Sequence, residues 1–185
     1  MGSVIKCFVL EPSDFAEVSF RRFTYNPGCT ESWGHDASVT IGREAYPRSN
    51  DQQGDALSEP DKSDPRWPTK CTKCGYVFQI DDQWQVFRNR LFTRSDNGEL
   101  TTIVSAPPGA MWYADWLQNL ARYQRSPDGR VLVVKTPGGD WAVDGPSRDG
   151  SGWNRTGVPP NVTVTPSIII GNYHGFLTDG ELREC

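Results

Sequence analysis

The chain has only two histidines, His35 and His174, and little that would mark it as a membrane or nucleic-acid protein. Acidic residues outnumber basic ones, 23 to 19, for a net charge of −4, and no basic block or tail is present. Nucleic acid is therefore not the expected partner, because such proteins gain affinity by clustering cations against phosphate. No apolar run approaches the length of a membrane span. Val4 to Leu10 is too short for an export signal and is interrupted by Lys6. Five cysteines without export point to thiols and metal rather than to a disulfide framework. For the same reason the Asn-x-Thr triplets at Asn154 and Asn161 carry little meaning. No internal repeat is evident. With 185 residues, the expected organisation is a single domain spanning 1–185, with a core and one long insertion.

Against this background one pattern stands out: Cys29-x5-His35, then Cys71-x2-Cys74 within Cys-Thr-Lys-Cys-Gly-Tyr. Cys-x2-Cys followed by Gly is the sequence of a zinc-knuckle turn, in which two thiolates chelate one ion. Cys29 and His35 would complete a Cys3His tetrahedron, the closed form of a structural Zn2+ site. His174 is the alternative fourth ligand, as the only other histidine. A redox role for Cys71 and Cys74 lacks the strand–helix context that it requires. Cys7 reads as a small buried strand residue and Cys185 as incidental.

The remaining pattern is mainly β. Strands are expected over Val4–Leu10, Glu17–Tyr25, Ser38–Gly42, Trp84–Thr93 and Glu99–Val104, with Val18, Phe20 and Arg22 sharing one face. Later strands are expected over Arg130–Lys135, Trp141–Asp144, Val162–Thr165, Ser167–Ile170 and Gly175–Thr178. Turns fall at Asn26-Pro27-Gly28, Ser95 to Gly98, Pro137 to Asp140 and Asp179-Gly180. Trp112, Trp116, Leu117, Leu120 and Tyr123 recur at helical spacing, which predicts one helix over 110–123. Residues 43–68 are polar, proline-rich and aperiodic, and predict a long loop closed at its base by the metal. Such a loop is the expected binding surface.

Three segments, Ala106-Pro107-Pro108-Gly109-Ala110-Met111-Trp112, Thr136-Pro137-Gly138-Gly139-Asp140-Trp141 and Tyr173-His174-Gly175-Phe176-Leu177, carry a resemblance. With Asp82 to Phe87 and the Cys-rich middle, they resemble a family of proteins encoded by phages of actinobacteria and related prophages. The resemblance runs over most of the chain. It implies a viral origin, a place in the virion or the host cytoplasm, and protein partners from either source. It implies no activity.

The tail from Pro166 onward is similar, more distantly, to the ending of a bacterial and phage domain family. Some members sit in ubiquitin-like conjugation operons and look like serine peptidases. Their Pro-Ser-Ile/Leu, Cys-His and Phe-Ile-x-Asp-Gly motifs match here at Ser167 and His174, with Tyr173 replacing the cysteine. That resemblance implies a Ser167–His174 nucleophile pair, seven residues apart across a turn at Gly171-Asn172. Asp179 is the nearest residue to orient the imidazole, with Asp140 and Asp144 as alternatives.

Two readings follow. One is a non-enzymatic, zinc-stabilised β protein, either a virion component or a binding module. The other is a serine hydrolase of peptidase type acting on a protein tail. Arg21, Arg22, Arg88, Arg90 and Arg94 lie on strands beside aromatics and are read as a solvated face rather than a nucleic-acid surface. Gly138-Gly139 reads as a hairpin turn, with no helix N-terminus to make it a phosphate cradle.

Overall fold

The computed structural model describes residues 4–29, 34–46, 62–123, 126–147 and 150–185. The protein is mainly β, with strands β1 (Val4–Lys6), β2 (Phe8–Thr24), β3 (His35–Ala45), β4 (Gln83–Arg94), β5 (Leu100–Thr101) and β6 (Ala110–Tyr113) in its first part. The later strands are β7 (Leu132–Thr136), β8 (Gly139–Ala142), β9 (Asn154–Val158), β10 (Asn161–Ile170), β11 (Tyr173–Thr178) and β12 (Glu181–Glu184). No helix among the described residues is long and apolar enough to cross a membrane. The chain divides into two compact units, one of residues 1–11 with 92–185, the other of residues 12–91.

In the first unit a five-stranded antiparallel sheet runs β1-β12-β11-β10-β9. Strand β11 shows the period-2 pattern of a half-buried sheet: Tyr173, Gly175 and Leu177 face inward, His174, Phe176 and Thr178 outward. Its inner face packs Val162, Val164, Ile168, Leu177 and Leu182 against Met111, Leu132, Val134, Trp141 and Val143. These come from the segment of β6, β7 and β8, where β7 pairs antiparallel with both neighbours. Strands β6 and β7 are buried on both faces, since Trp112 and Val133 enter a second cluster with Phe8, Leu10 and Ala114. An ion network centred on the buried Arg155 and Asp144 adds to this core. The Arg155 guanidinium lies between Asp144 at 2.9 Å and Asp128 at 2.8 Å, and Asp144 also accepts the Leu132 N–H.

The helix expected over 110–123 is absent. Ala110–Tyr113 is strand β6, followed by two single 3-10 turns, Asp115–Leu117 and Ala121–Tyr123. A strand buried on both faces needs consecutive apolar residues, so Ala110-Met111-Trp112 satisfies it as well as a helix start would. Of the rest of the apolar stripe, Leu117 packs against the second cluster, whereas Trp116 is 61% exposed and Leu120 42%.

The second unit is built on β2 and β3, paired antiparallel from Phe15↔Ala45 to Thr24↔His35 with a bulge after Val18. The two strands expected over Val4–Leu10 and Glu17–Tyr25 are instead β1, a break at Cys7, and one continuous strand through the polar residues Glu11 to Asp14. Backbone pairing carries that stretch where side-chain pattern does not. Strand β4 is tied to β2 by Ser13, whose hydroxyl donates to the Leu91 carbonyl at 2.7 Å. Val18, Phe20 and Val86 form the core here, with Trp67 and Trp84 packed against them. Strand β3 extends through Ala45, so the long loop starts later than residue 43; residues 47–61 of it lie outside the described residues.

Candidate metal centre

The first half of the site is the connection between β2 and β3. Thr24 pairs with His35 at the loop end of this hairpin, so Cys29 lies within the connecting loop and His35 at its far side. Gly34 permits the close return: a Cβ there would lie 2.2 Å from the Thr24 carbonyl oxygen. The Cys-x5-His spacing is therefore the spacing of this loop.

The second half is a small hairpin over residues 69–78. The Phe78 N–H donates to the Thr69 carbonyl at 3.0 Å, the Cys71 N–H to Tyr76 at 2.8 Å, and the Gly75 N–H back to Cys71 at 3.0 Å. Gly75 has φ of +77°, a left-handed conformation that a side chain would strain. This is the knuckle turn expected from Cys-Thr-Lys-Cys-Gly. The halves are joined at Asp36, whose N–H points at Cys71 Sγ (3.4 Å) and whose carbonyl accepts the Thr72 N–H (3.2 Å).

These constraints bring the Sγ atoms of Cys29, Cys71 and Cys74 and a ring nitrogen of His35 within 4.8 Å of one another. His35 Nδ1 lies 3.0 Å from Cys74 Sγ. For comparison, bond lengths of about 2.3 Å to sulfur and 2.0 Å to nitrogen give tetrahedral edges of about 3.5–3.8 Å. The donors fit one tetrahedral ion after small side-chain adjustments. His35 and Cys71 are buried, Cys29 is half-buried and Cys74 is exposed. Burial pushes the Cys71 thiol up, but N–H groups of Asp36, Lys73 and Cys74 outweigh it and bring the thiol down to about 6. For Cys74 the Tyr76 N–H pulls the other way, yet burial and the neighbouring thiols of Cys71 and Cys29 hold it above its ordinary value. Three thiolates and an imidazole leave no open coordination position, which is the chemistry of a structural site.

Sequence spacing does not reveal the support for this site. The His35 ring stacks on Tyr76, and Tyr76 meets Phe78 edge to face at 5.8 Å. Phe78, Ala37 and Cys71 form a small buried cluster beneath the ligands.

The remaining candidates lie in the other unit. His174 is not among the clustered ligands; it sits on the outward face of β11, opposite Ile169 of β10. Ser167 alternates with the fully buried Ile168 and so shares that outward face, diagonal to His174 at a typical Cβ separation of about 7–8 Å. No hydrogen bond joins the two among the described residues. Asp179 lies at the other end of β11, roughly 16 Å along the strand from His174. Asp144 is bound to Arg155, and Asp140 lies beside Lys135 at 3.9 Å. Cys7 is half-buried, and burial, with Glu181 nearby, pushes its thiol up to about 12. The strand arginines are each engaged locally: Arg21 with Asp36, Arg88 with Glu44, Arg90 with the Ser13 carbonyl and Arg94 with Asp96. No protein-family model, curated protein or solved structure matches the chain.

Proposed function

We propose that this chain is a phage-encoded β protein stabilised by a structural zinc ion, acting without catalysis through a protein partner, as a virion component or a module directed at a host protein. The observation that carries this reading is the closed four-donor set of Cys29, His35, Cys71 and Cys74. Zinc suits it because three thiolates and one imidazole favour a tetrahedral, redox-inert ion. Such an ion cross-links the β2–β3 loop to the 69–78 hairpin, and its binding free energy becomes folding free energy. The viral origin rests on the sequence resemblance, as does the setting in virion or host cytoplasm. The hydrolase reading has in its favour that Ser167 and His174 share one sheet face. Against it, among the described residues no hydrogen bond joins the pair or links the imidazole to a carboxylate, both of which a serine nucleophile needs.

Native mass spectrometry of the purified chain tests the zinc part, with one zinc per chain expected. Treatment with a fluorophosphonate probe tests the rest: no adduct should form. Covalent labelling of Ser167 would overturn the non-enzymatic reading.

A further inference from the structure

Beside the metal hairpin, within the same unit, lies a cavity of about 260 Å³ lined by Arg22, Lys62, Trp67, Ile80, Asp82 and Trp84. Arg22 is the unusual member. It sits on β2 on the same face as Val18 and Phe20 and is only 8% exposed. Its Nη atoms donate to the carbonyls of Pro68 and Gln79, and its Nε is buried without a partner. Its Cζ lies 5.0 Å from the Phe78 ring centre and 5.7 Å from that of Trp67. Among the described residues, no carboxylate pairs with it. Asp82 lines the same cavity but is committed elsewhere, accepting the Gln79 N–H at 2.6 Å and facing the Tyr76 hydroxyl at 3.4 Å. A buried cation held by dipoles and ring faces alone is costly, and an entering carboxylate would offset that cost.

We propose that this cavity is a recognition pocket for a carboxylate presented by a protein partner, either an acidic side chain or a chain end. Its size decides the scale of the ligand, since pockets for drug-sized molecules start at roughly 300 Å³ and this one takes a single residue. The walls are preformed. Trp67 is fixed edge to face on Phe20 at 5.3 Å, and both tryptophans pack on the Val18–Phe20–Val86 core. The Lys62 ammonium lies 5.5 Å from the Trp84 ring centre, and both residues line the cavity. Ile80 on the rim is fully exposed, at 102%, an apolar contact for the protein around the carboxylate rather than for a free ion. The pocket also explains what a zinc staple would be for. Ile80 and Asp82, two of the lining residues, follow directly on the knuckle hairpin, so the ion that fixes the hairpin fixes that side of the pocket. To this extent the inference rests on the partner-binding function proposed above.

The test is a titration of the zinc-loaded full chain followed by 1H–15N shifts of the tryptophan indoles. The probes are N-acetyl-glutamate α-amide (side-chain carboxylate only), N-acetyl-alanine (chain-end carboxylate only) and the neutral N-acetyl-glutamine α-amide. Saturable shifts at Trp67 and Trp84 are expected at millimolar concentration with at least one carboxylate and not with the neutral probe. The responding probe identifies the source. Arg22→Met should abolish the response, and Trp84→Ala, at a half-buried wall, should weaken it about tenfold in protein whose β-sheet circular dichroism is unchanged. Equal shifts with the neutral probe, no saturable shift, or unchanged binding in Trp84→Ala would overturn the pocket. A zinc-loaded chain with unmoved indoles leaves the zinc reading intact. A folded, zinc-free chain that still binds the carboxylate removes the zinc reading and leaves the pocket.

Discussion

The imidazole of His35 lies flat against the ring of Tyr76, with centroids 4.1 Å apart and planes 11° from parallel. The stack sets the direction in which His35 presents its nitrogen, so Tyr76 acts on the metal without touching it. Supporting residues of this kind commonly change metal affinity by about 10–100-fold. Tyr76→Ala should therefore speed zinc loss to a competing chelator by about that factor, while Tyr76→Phe, which keeps the stack, should behave like the parent protein. Equal rates for all three proteins would show that the stack is incidental.

Removing the metal should have a local effect. The hairpin over residues 69–78 is held by few backbone hydrogen bonds, and its buried cluster is small. After chelation, amides of Lys70 to Phe78 should exchange rapidly, whereas those of β10 and β11, over the larger Met111–Leu182 core, should stay protected. Loss of protection across β10 and β11 on chelation would contradict this.

Asp128 gives a pH dependence of known sign. Burial pushes its carboxyl up, but the Arg155 guanidinium and the Ser126 hydroxyl outweigh burial and hold it well below the usual carboxylate range. A depressed folded value means that stabilisation is present above the unfolded value, about 3.9, and is lost as pH falls through the folded one. Asp128→Asn should lower the melting temperature at pH 7, and the gap from the parent should close below about pH 4. A gap that persists unchanged at low pH would mean that the charge on Asp128 is not its cause.

Ser167→Ala and His174→Ala should both leave zinc content and melting temperature nearly unchanged, within the about 0.5 kcal/mol usual for exposed sites. His174 is exposed on the outer face of β11, and neither residue donates or accepts a side-chain hydrogen bond among the described residues. Zinc loss in His174→Ala would place that histidine at the metal in place of His35.

What was legible in the sequence follows from how local each signal is. The ligands are legible because metal coordination needs particular side chains at loop spacings, and the glycine after Cys74 marks the turn that the knuckle requires. The β character is legible from the alternation in β11 and from turns such as Asp179-Gly180. The apolar run from Ala110 was misleading, because a strand buried on both faces and the start of a helix demand the same residues there. The continuity of β2 through Glu11 to Asp14 depends on partner strands distant in sequence. Arg22 stood in the pattern with Val18 and Phe20, but its meaning depends on Trp67 and Phe78, which only the fold brings to it.

X-ray absorption at the zinc edge on the purified chain tests the central claim most directly, because it reads both the ion and its neighbours. The account predicts one zinc per chain with three sulfurs at about 2.3 Å and one nitrogen at about 2.0–2.1 Å. A folded protein without stoichiometric zinc, or one whose zinc is surrounded by oxygen and nitrogen alone, would contradict it.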